Sequence, residues 1–277
     1  MSWTHPDRPS RTIEASTGKV IEVRLATYAK DIGRVAGPLI ADALGPHATP
    51  WDTPPDSSPH PVLGFGTSSV LTATFDEFIG YYLEGWLSME RANAFCLNEY
   101  VGIAFDEQGS LRHALNWGLF FPTDLPAERV IGPDGMANDP EAEAAAIEQQ
   151  LAESGGIDLL VLPVEADGRV GFNEAGAPHD SPCRVTTLSD TLRTSLTASF
   201  GGVSNSVPAR GTTLGLGSLK GGAVRSLLLV ATGPEAGEVL ARALTGTPDA
   251  SLPLGFVQSF PGSCIVVADA DASRGLP

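Results

Sequence analysis

Four short segments of this chain carry side chains that could do chemistry. The densest is Ala166-Asp167-Gly168-Arg169-Val170-Gly171-Phe172-Asn173-Glu174, where two carboxylates, a guanidinium and an amide share a glycine-punctuated loop. Carboxylates can take or give protons at a reacting carbon, and a guanidinium can hold an anion or a developing oxyanion. Gly66-Thr67-Ser68-Ser69 offers small residues and hydroxyls ahead of a helix, a string that suits an anion at a helix N-terminus and equally suits simple helix capping. Asn98-Glu99-Tyr100 is a polar triplet closing an apolar run, and Thr232-Gly233-Pro234-Glu235 turns a strand end into a helix start. The order of these segments implies a site assembled from several strand ends, because ligands of open α/β sheets sit beyond the carboxyl ends of the strands.

The elements that must position these segments follow from the hydrophobic pattern. The run at 156–164, GIDLLVLPV, is continuously apolar and bounded by glycine and charge, the pattern of a central parallel strand. Further strands are expected at 62–65, 93–97, 211–216, 226–231 and 264–268. Helices are expected at about 70–84, 109–120, 139–153 and 234–244. Residues 21–44 carry apolar positions at helical spacing, with Gly37-Pro38 as an interruption. Residues 46–61 are rich in proline and serine and read as a loop. Alternation of strands with helices predicts an α/β fold with a doubly wound, mostly parallel sheet flanked by helices. The expected organisation is an N-terminal arm at 1–20 followed by a single domain at 21–277.

Composition narrows the partners. The 277 residues include 33 Asp and Glu against 17 Lys and Arg, a formal net charge of −16, and the lysines are only Lys19, Lys30 and Lys220. Such a surface repels phosphate backbones and anionic lipid, so neither nucleic acid nor a membrane surface is an expected partner. Cys96, Cys183 and Cys264 are far apart and form no C-x-x-C pair, which predicts reduced thiols and calls for no metal. The polar start of the sequence and the lack of a long apolar run predict a cytoplasmic protein without leader or membrane helix. No cofactor is called for.

The run GGIDLLVLPVEADGRVGFNEAG resembles the signature of the glucosamine-6-phosphate deaminase/isomerase family, related to the 6-phosphogluconolactonases. There a similar strand leads into a D-G-H-I-A-F-N-E-P-type loop. The resemblance spans about 21–270: VLGFGTSSV takes the place of the phosphate loop, CLNEYVGI looks like M-D-E-Y-V-G-L, and CRVTTLSDTLR matches T-R-V-x-T-L-x-x-x-T in position. VPARGTTLGLGSL is similar to V-P-x-x-A-L-T-V-G-V-G-T-L, and Gln258 through Asp269 to L-Q-x-H-P…D. It implies a modified Rossmann-like fold, a small-molecule sugar ligand and, in many members, association into homo-oligomers.

Family chemistry opens a sugar ring with a histidine held by carboxylates and moves the C2 proton with a strand-end aspartate. Carried over, the aspartate's place is held by Asn98 and the histidine's by Arg169, with Asp167 and Glu174 as retained carboxylates. An amide takes no proton near neutral pH, and a guanidinium stays protonated. The phosphate-binding lysine falls on Glu235, a phosphate-binding arginine on Ala198 with Arg193 nearby, and the histidine of L-Q-x-H on Phe260. A like-charge contact at about 4 Å and an effective dielectric near 20 is worth on the order of 4 kcal/mol, so Glu235 predicts exclusion of a phosphorylated sugar.

These substitutions predict an altered sugar-converting enzyme acting on an unphosphorylated sugar, aminosugar or cyclitol. Glu174, Asp167 or Glu99 would do acid–base work beside Asn98, and Arg169 would hold an anion. Gly66, Thr67, Ser68, Ser69, Asn173, Arg193, Glu235 and His179 would bind the ligand. One alternative is a sugar-binding or regulatory protein without turnover. A second is an active glucosamine-6-phosphate deaminase or 6-phosphogluconolactonase working with substituted residues. Plainer readings accompany several residues: a structural ion-pair network for Arg169, Asp167 and Glu174, an exposed loop for His179, sheet-edge packing for Tyr100, core for Phe260 and a solvated face for helix 139–153.

Overall fold

The central run does become a central strand. In the computed structural model, which describes residues 10–45, 60–203 and 206–277, Leu159–Pro163 lies in the interior of an eight-stranded sheet. In chain order the strands of this sheet are β1 (Ser10–Glu14), β2 (Val20–Leu25), β3 (Val62–Phe65), β4 (Asn93–Cys96), β6 (Val130–Ile131), β7 (Leu159–Pro163), β10 (Ser226–Ala231) and β11 (Ser263–Ala268). Their spatial order is β1-β2-β11-β10-β7-β3-β4-β6. All pairings are parallel except the edge hairpin of β1 with β2. The expected doubly wound, mostly parallel α/β sheet is present.

Period-two alternation along the strands divides the core between the two faces. Leu160 and Leu162 of β7, with Leu227 and Leu229 of β10, join one cluster under α4 (Pro140–Glu153) and α7 (Gly233–Thr245). Leu159 and Val161, with Leu228 and Val230, join a second cluster under α1 (Gly33–Ala43) and α2 (Thr72–Leu83). Helices begin where capping chemistry puts them. Asp139 accepts from Ala142 N at 3.0 Å ahead of Pro140, and α7 likewise has proline in its first turn.

Five sequence expectations change. Residues 21–44 are not one helical stretch: β2 alternates with Ile21 and Val23 buried, and helix starts only at Gly33. Pro38 does not interrupt that helix, which runs through it and forgoes one backbone bond. The strand at 211–216 is β9 (Arg210–Thr213), and it lies outside the main sheet. It pairs antiparallel with β5 (Asn98–Tyr100) and β8 (Arg184–Thr187), so Asn98-Glu99-Tyr100 is a strand of its own and not the tail of β4. The expected helix at 109–120 divides into α3 (Leu111–Leu115) and a π-helical turn at Asn116–Phe120. Three short helices, α5 (Asp190–Ser195), α6 (Leu216–Lys220) and α8 (Ala270–Ser273), lie in the C-terminal third of the chain. Most of the proline-rich loop at 46–61 and part of the N-terminal arm lie outside the described residues.

Candidate functional site

A cleft opens where β3, β4 and β7 end and the small sheet begins. Its walls include Gly66 and Thr67 after β3, Asn98 and Tyr100 of β5, Glu165, Arg169 and Phe172 after β7, and Leu111 at the start of α3. The chain passes between the two sheets at Leu97, whose N–H donates to Phe65 O at 3.2 Å and whose carbonyl accepts from Leu214 N at 3.0 Å. That double tie holds Asn98 beside the end of the main sheet. Gly66 donates to Val161 O at 2.8 Å, and a Cβ there would stand 2.9 Å from Pro163 Cδ.

The loop after β7 folds back on itself in a tight turn. Gly168 N donates to Glu165 O at 2.9 Å, and Gly168 has φ +71°, a left-handed conformation that a side chain would strain. A Cβ on Gly168 would also come within 2.2 Å of Leu252 Cδ1. The turn brings three charged groups together. One guanidinium nitrogen of Arg169 donates to both carboxylate oxygens of Asp167 at 3.1 Å, and the other lies 3.3 Å from Glu165 Oε1. Asp167 also accepts from the Arg169 N–H at 3.1 Å. The Arg169 and Glu165 side chains are 16% and 19% exposed, so the pairing is sheltered, while Asp167 is half exposed at 49%. Arg169 was expected between Asp167 and Glu174; the structure pairs it with Asp167 and Glu165 instead.

Glu174 turns elsewhere. Its carboxylate accepts from Ser189 N at 3.0 Å and from the Ser189 hydroxyl, where α5 begins. Asn173 is fully buried; its amide donates to Val170 O and Leu214 O at 2.8 and 2.9 Å, and its oxygen accepts from Arg184 at 2.8 Å. Burial pulls the Arg184 guanidinium below its ordinary value.

Glu99 is 2% exposed and accepts four hydrogen bonds, from Tyr100 N (2.7 Å), Ser110 Oγ (2.6 Å), Arg112 N (2.9 Å) and Leu111 N (3.1 Å). Burial raises its carboxyl above the usual carboxylate range, and these donors offset only part of that rise. It anchors the start of α3 and does not line the cleft.

The remaining predicted residues scatter. Ser68 accepts from Val70 N at 3.3 Å and caps the turn at Ser69–Leu71, which leads into α2. Arg193 donates to Val207 O at 3.2 and 3.1 Å and lies 3.6 Å from Asp190. Glu235 is exposed in the first turn of α7, where a carboxylate complements the helix dipole. His179 is half-buried near Asp249, whose carboxyl is lowered chiefly by hydrogen bonds from Ser251 and in smaller part by Arg242 and His179. None of these four lines the cleft. Phe260 is core, and Tyr100 packs against Phe172 and Phe200.

Glu165 and Arg184 were not singled out from the sequence. For Glu165 a signal existed: it stands four residues before Arg169 at a strand end, the reach of an ion pair across one turn. Burial pushes Cys96, Cys183 and Cys264 up to about 12, so these free thiols stay protonated and offer no nucleophile. Among the described residues no His/Cys/Asp/Glu group could hold a metal ion, and no helix is long and apolar enough to cross a membrane.

No family model matches the chain. Curated proteins do. The glucosamine-6-phosphate deaminase of Mycolicibacterium smegmatis is 34% identical over 244 residues, which cover 88% of this chain and 90% of that protein. The glucosamine-6-phosphate deaminase of Beutenbergia cavernae is 34% identical over 86% of this chain and 88% of its own length. The chain belongs to the glucosamine-6-phosphate deaminase family. A solved structure of a monomeric glucosamine-6-phosphate deaminase superimposes with a TM-score of 0.81 at 25% identity, over 91% of this chain and 98% of that one. A 6-phosphogluconolactonase from Trypanosoma cruzi shares the fold, with a TM-score of 0.67 at 17% identity over 91% of this chain and 95% of its own. The resemblance read from the ordered motifs is thereby established at the level of family and fold. This member of the glucosamine-6-phosphate deaminase family lines its cleft with the amide of Asn98, the guanidinium of Arg169 and one carboxylate, Glu165, while Asp167 pairs with Arg169 from outside the lining.

Proposed function

We propose that the cleft takes an unphosphorylated sugar, aminosugar or cyclitol and that the chain converts it by acid–base chemistry other than deamination of glucosamine-6-phosphate. The observation that carries this reading is the charge at the cleft. Arg169 is the guanidinium lining it, and Arg169 is already held by Asp167 and Glu165. Two carboxylates against one cation leave the group net negative, so a phosphate dianion would have to displace a carboxylate to reach the arginine. Hydroxyls and an ammonium group face no such obstacle.

The family positions add to this. Asn98, where the resemblance places the proton-moving aspartate, can donate and accept hydrogen bonds to sugar hydroxyls but takes no proton. Arg169, where it places the ring-opening histidine, can stabilise a developing oxyanion but cannot act as a base. Proton transfer therefore falls to the carboxylates of the loop after β7. Binding without turnover is the second reading, and a specific observation favours it. Glu99 and Glu174, two of the three carboxylates that the sequence nominated for proton transfer, are spent on helix starts. The solved relative is a monomer, and neither reading needs a second copy of the chain.

The test is thermal denaturation with paired ligands: glucosamine against glucosamine-6-phosphate, and gluconate against 6-phosphogluconate. A ligand at about 100 times its Kd stabilises the native state by about 2.7 kcal/mol. A rise in Tm with an unphosphorylated member and none with its phosphate is expected. A rise with phosphorylated members alone overturns the reading. Chemical change of the bound ligand on incubation separates a converting enzyme from the binding-only alternative.

A further inference from the structure

We infer that Glu165 sets the ligand charge this cleft accepts, favouring an ammonium-bearing sugar and rejecting a phosphorylated one. The inference rests on the reading above that the cleft takes an unphosphorylated ligand, and it names the residue responsible.

The three charged groups are not equivalently paired. Asp167 holds one nitrogen of Arg169 through both of its oxygens and also accepts the Arg169 backbone N–H, three contacts in all. Glu165 meets Arg169 through a single contact of 3.3 Å, between Oε1 and the second nitrogen. Asp167 is thus the closer partner that balances the arginine's charge, and Glu165 is the surplus acid. Glu165 lines the cleft, whereas Asp167 does not.

Position reinforces the asymmetry. Glu165 follows the last turn of the β7 ladder, where Val164 N still donates to Val230 O at 2.8 Å, so its backbone is fixed by the sheet. The Gly168 turn closes against its carbonyl at 2.9 Å. A carboxylate on so rigid a base is a preorganised acceptor. An ammonium group needs acceptors on several sides, and Thr67 and Asn98, whose side chains carry a hydroxyl and an amide oxygen, are among the residues that line the same cleft. Glu235 cannot be assigned this task from its place, since it is exposed at the start of α7 and lines no wall of the cleft.

Removing the Glu165 charge should act in opposite directions on two ligands. Glu165→Gln keeps the shape but withdraws the surplus acid, so the preference for glucosamine over glucose weakens. It also releases one side of Arg169, so affinity for glucosamine-6-phosphate grows. The experiment is calorimetric titration of wild type, Glu165→Gln and Glu235→Gln with glucose, glucosamine and glucosamine-6-phosphate. In Glu165→Gln the glucosamine-over-glucose ratio is expected to fall about tenfold, the loss of one charge-assisted hydrogen bond, while glucosamine-6-phosphate binds more tightly than to wild type. A gain of binding cannot come from a misfolded protein. If wild type prefers glucosamine and Glu165→Gln retains that preference, or Glu235→Gln alone abolishes it, Glu165 is not the selector and the proposed ligand class stands. If wild type binds only the phosphorylated sugar, both fall.

Discussion

A carboxylate's neighbours decide what it does, and Glu99 shows how far that can depart from its place in the sequence. It adjoins Asn98 in the polar triplet, yet its side chain is buried and spent on the first turn of α3. Glu99→Gln would aim an amide N–H₂ at backbone donors, so the variant should lose about 1–3 kcal/mol of stability in denaturant melts. The pH dependence has a definite sign. Burial raises the folded-state value above the unfolded one, so the native state binds the proton more tightly. Stability from this group is fully present below the ordinary carboxylate range and is lost as pH rises through the raised folded value. The gap between wild type and Glu99→Gln should therefore narrow from pH 4 to pH 7, and a gap that widens would contradict the assignment. The types and clustering of Asn98, Arg169 and Asp167 were legible in the sequence, but side-chain direction was not. A glycine-punctuated loop brings Asn173 and Glu174 near the cleft in sequence, while only the fold turns one into a core brace and the other onto Ser189.

Elements were legible in proportion to the strength of their periodicity. The continuously apolar β7 and β10 fell where the sequence placed them, as did α2, α4 and α7. The strands β5, β8 and β9 span three or four residues each, too few for a pattern to declare which sheet they join. At the start of the chain, the alternation that buries Ile21 and Val23 was masked by the helical spacing that follows it. The contact of α1 with α2 also depends on one small residue. A Cβ on Gly33 would meet Ala73 O at 2.0 Å, a clash with backbone that only a helix shift relieves, whereas one on Gly80 of α2 would meet nothing within 4 Å. Gly33→Ala should lower stability by about 1–3 kcal/mol. Gly80→Ala should raise it by about 0.4–1 kcal/mol through the unfolded chain. Thermal melts of both check the pair, and equal effects would refute the close crossing.

Across the whole molecule, two apolar cores on opposite faces of one sheet hold the strand ends in a fixed array, and the loops that leave those ends carry the site. Family and fold were readable from the order of the motifs, because a doubly wound sheet recruits its site from widely separated strand ends and so spreads its signature over most of the chain. The ligand was less readable, since charge pairing inside the cleft is a property of the folded turn around Gly168. On the proposed reading, the net charge of −16 acts in the same direction as the surplus acid at Glu165, against an anionic substrate. On the proposed reading, Asn98 and Arg169 do not support the family's reaction on a phosphorylated aminosugar. The most direct measurement is ammonia release from glucosamine-6-phosphate by the wild-type protein and by Asn98→Asp/Arg169→His. Release by wild type no greater than the blank, with a measurable rate in the double variant, is the predicted result. Wild-type release at a rate abolished by Glu174→Ala would contradict it.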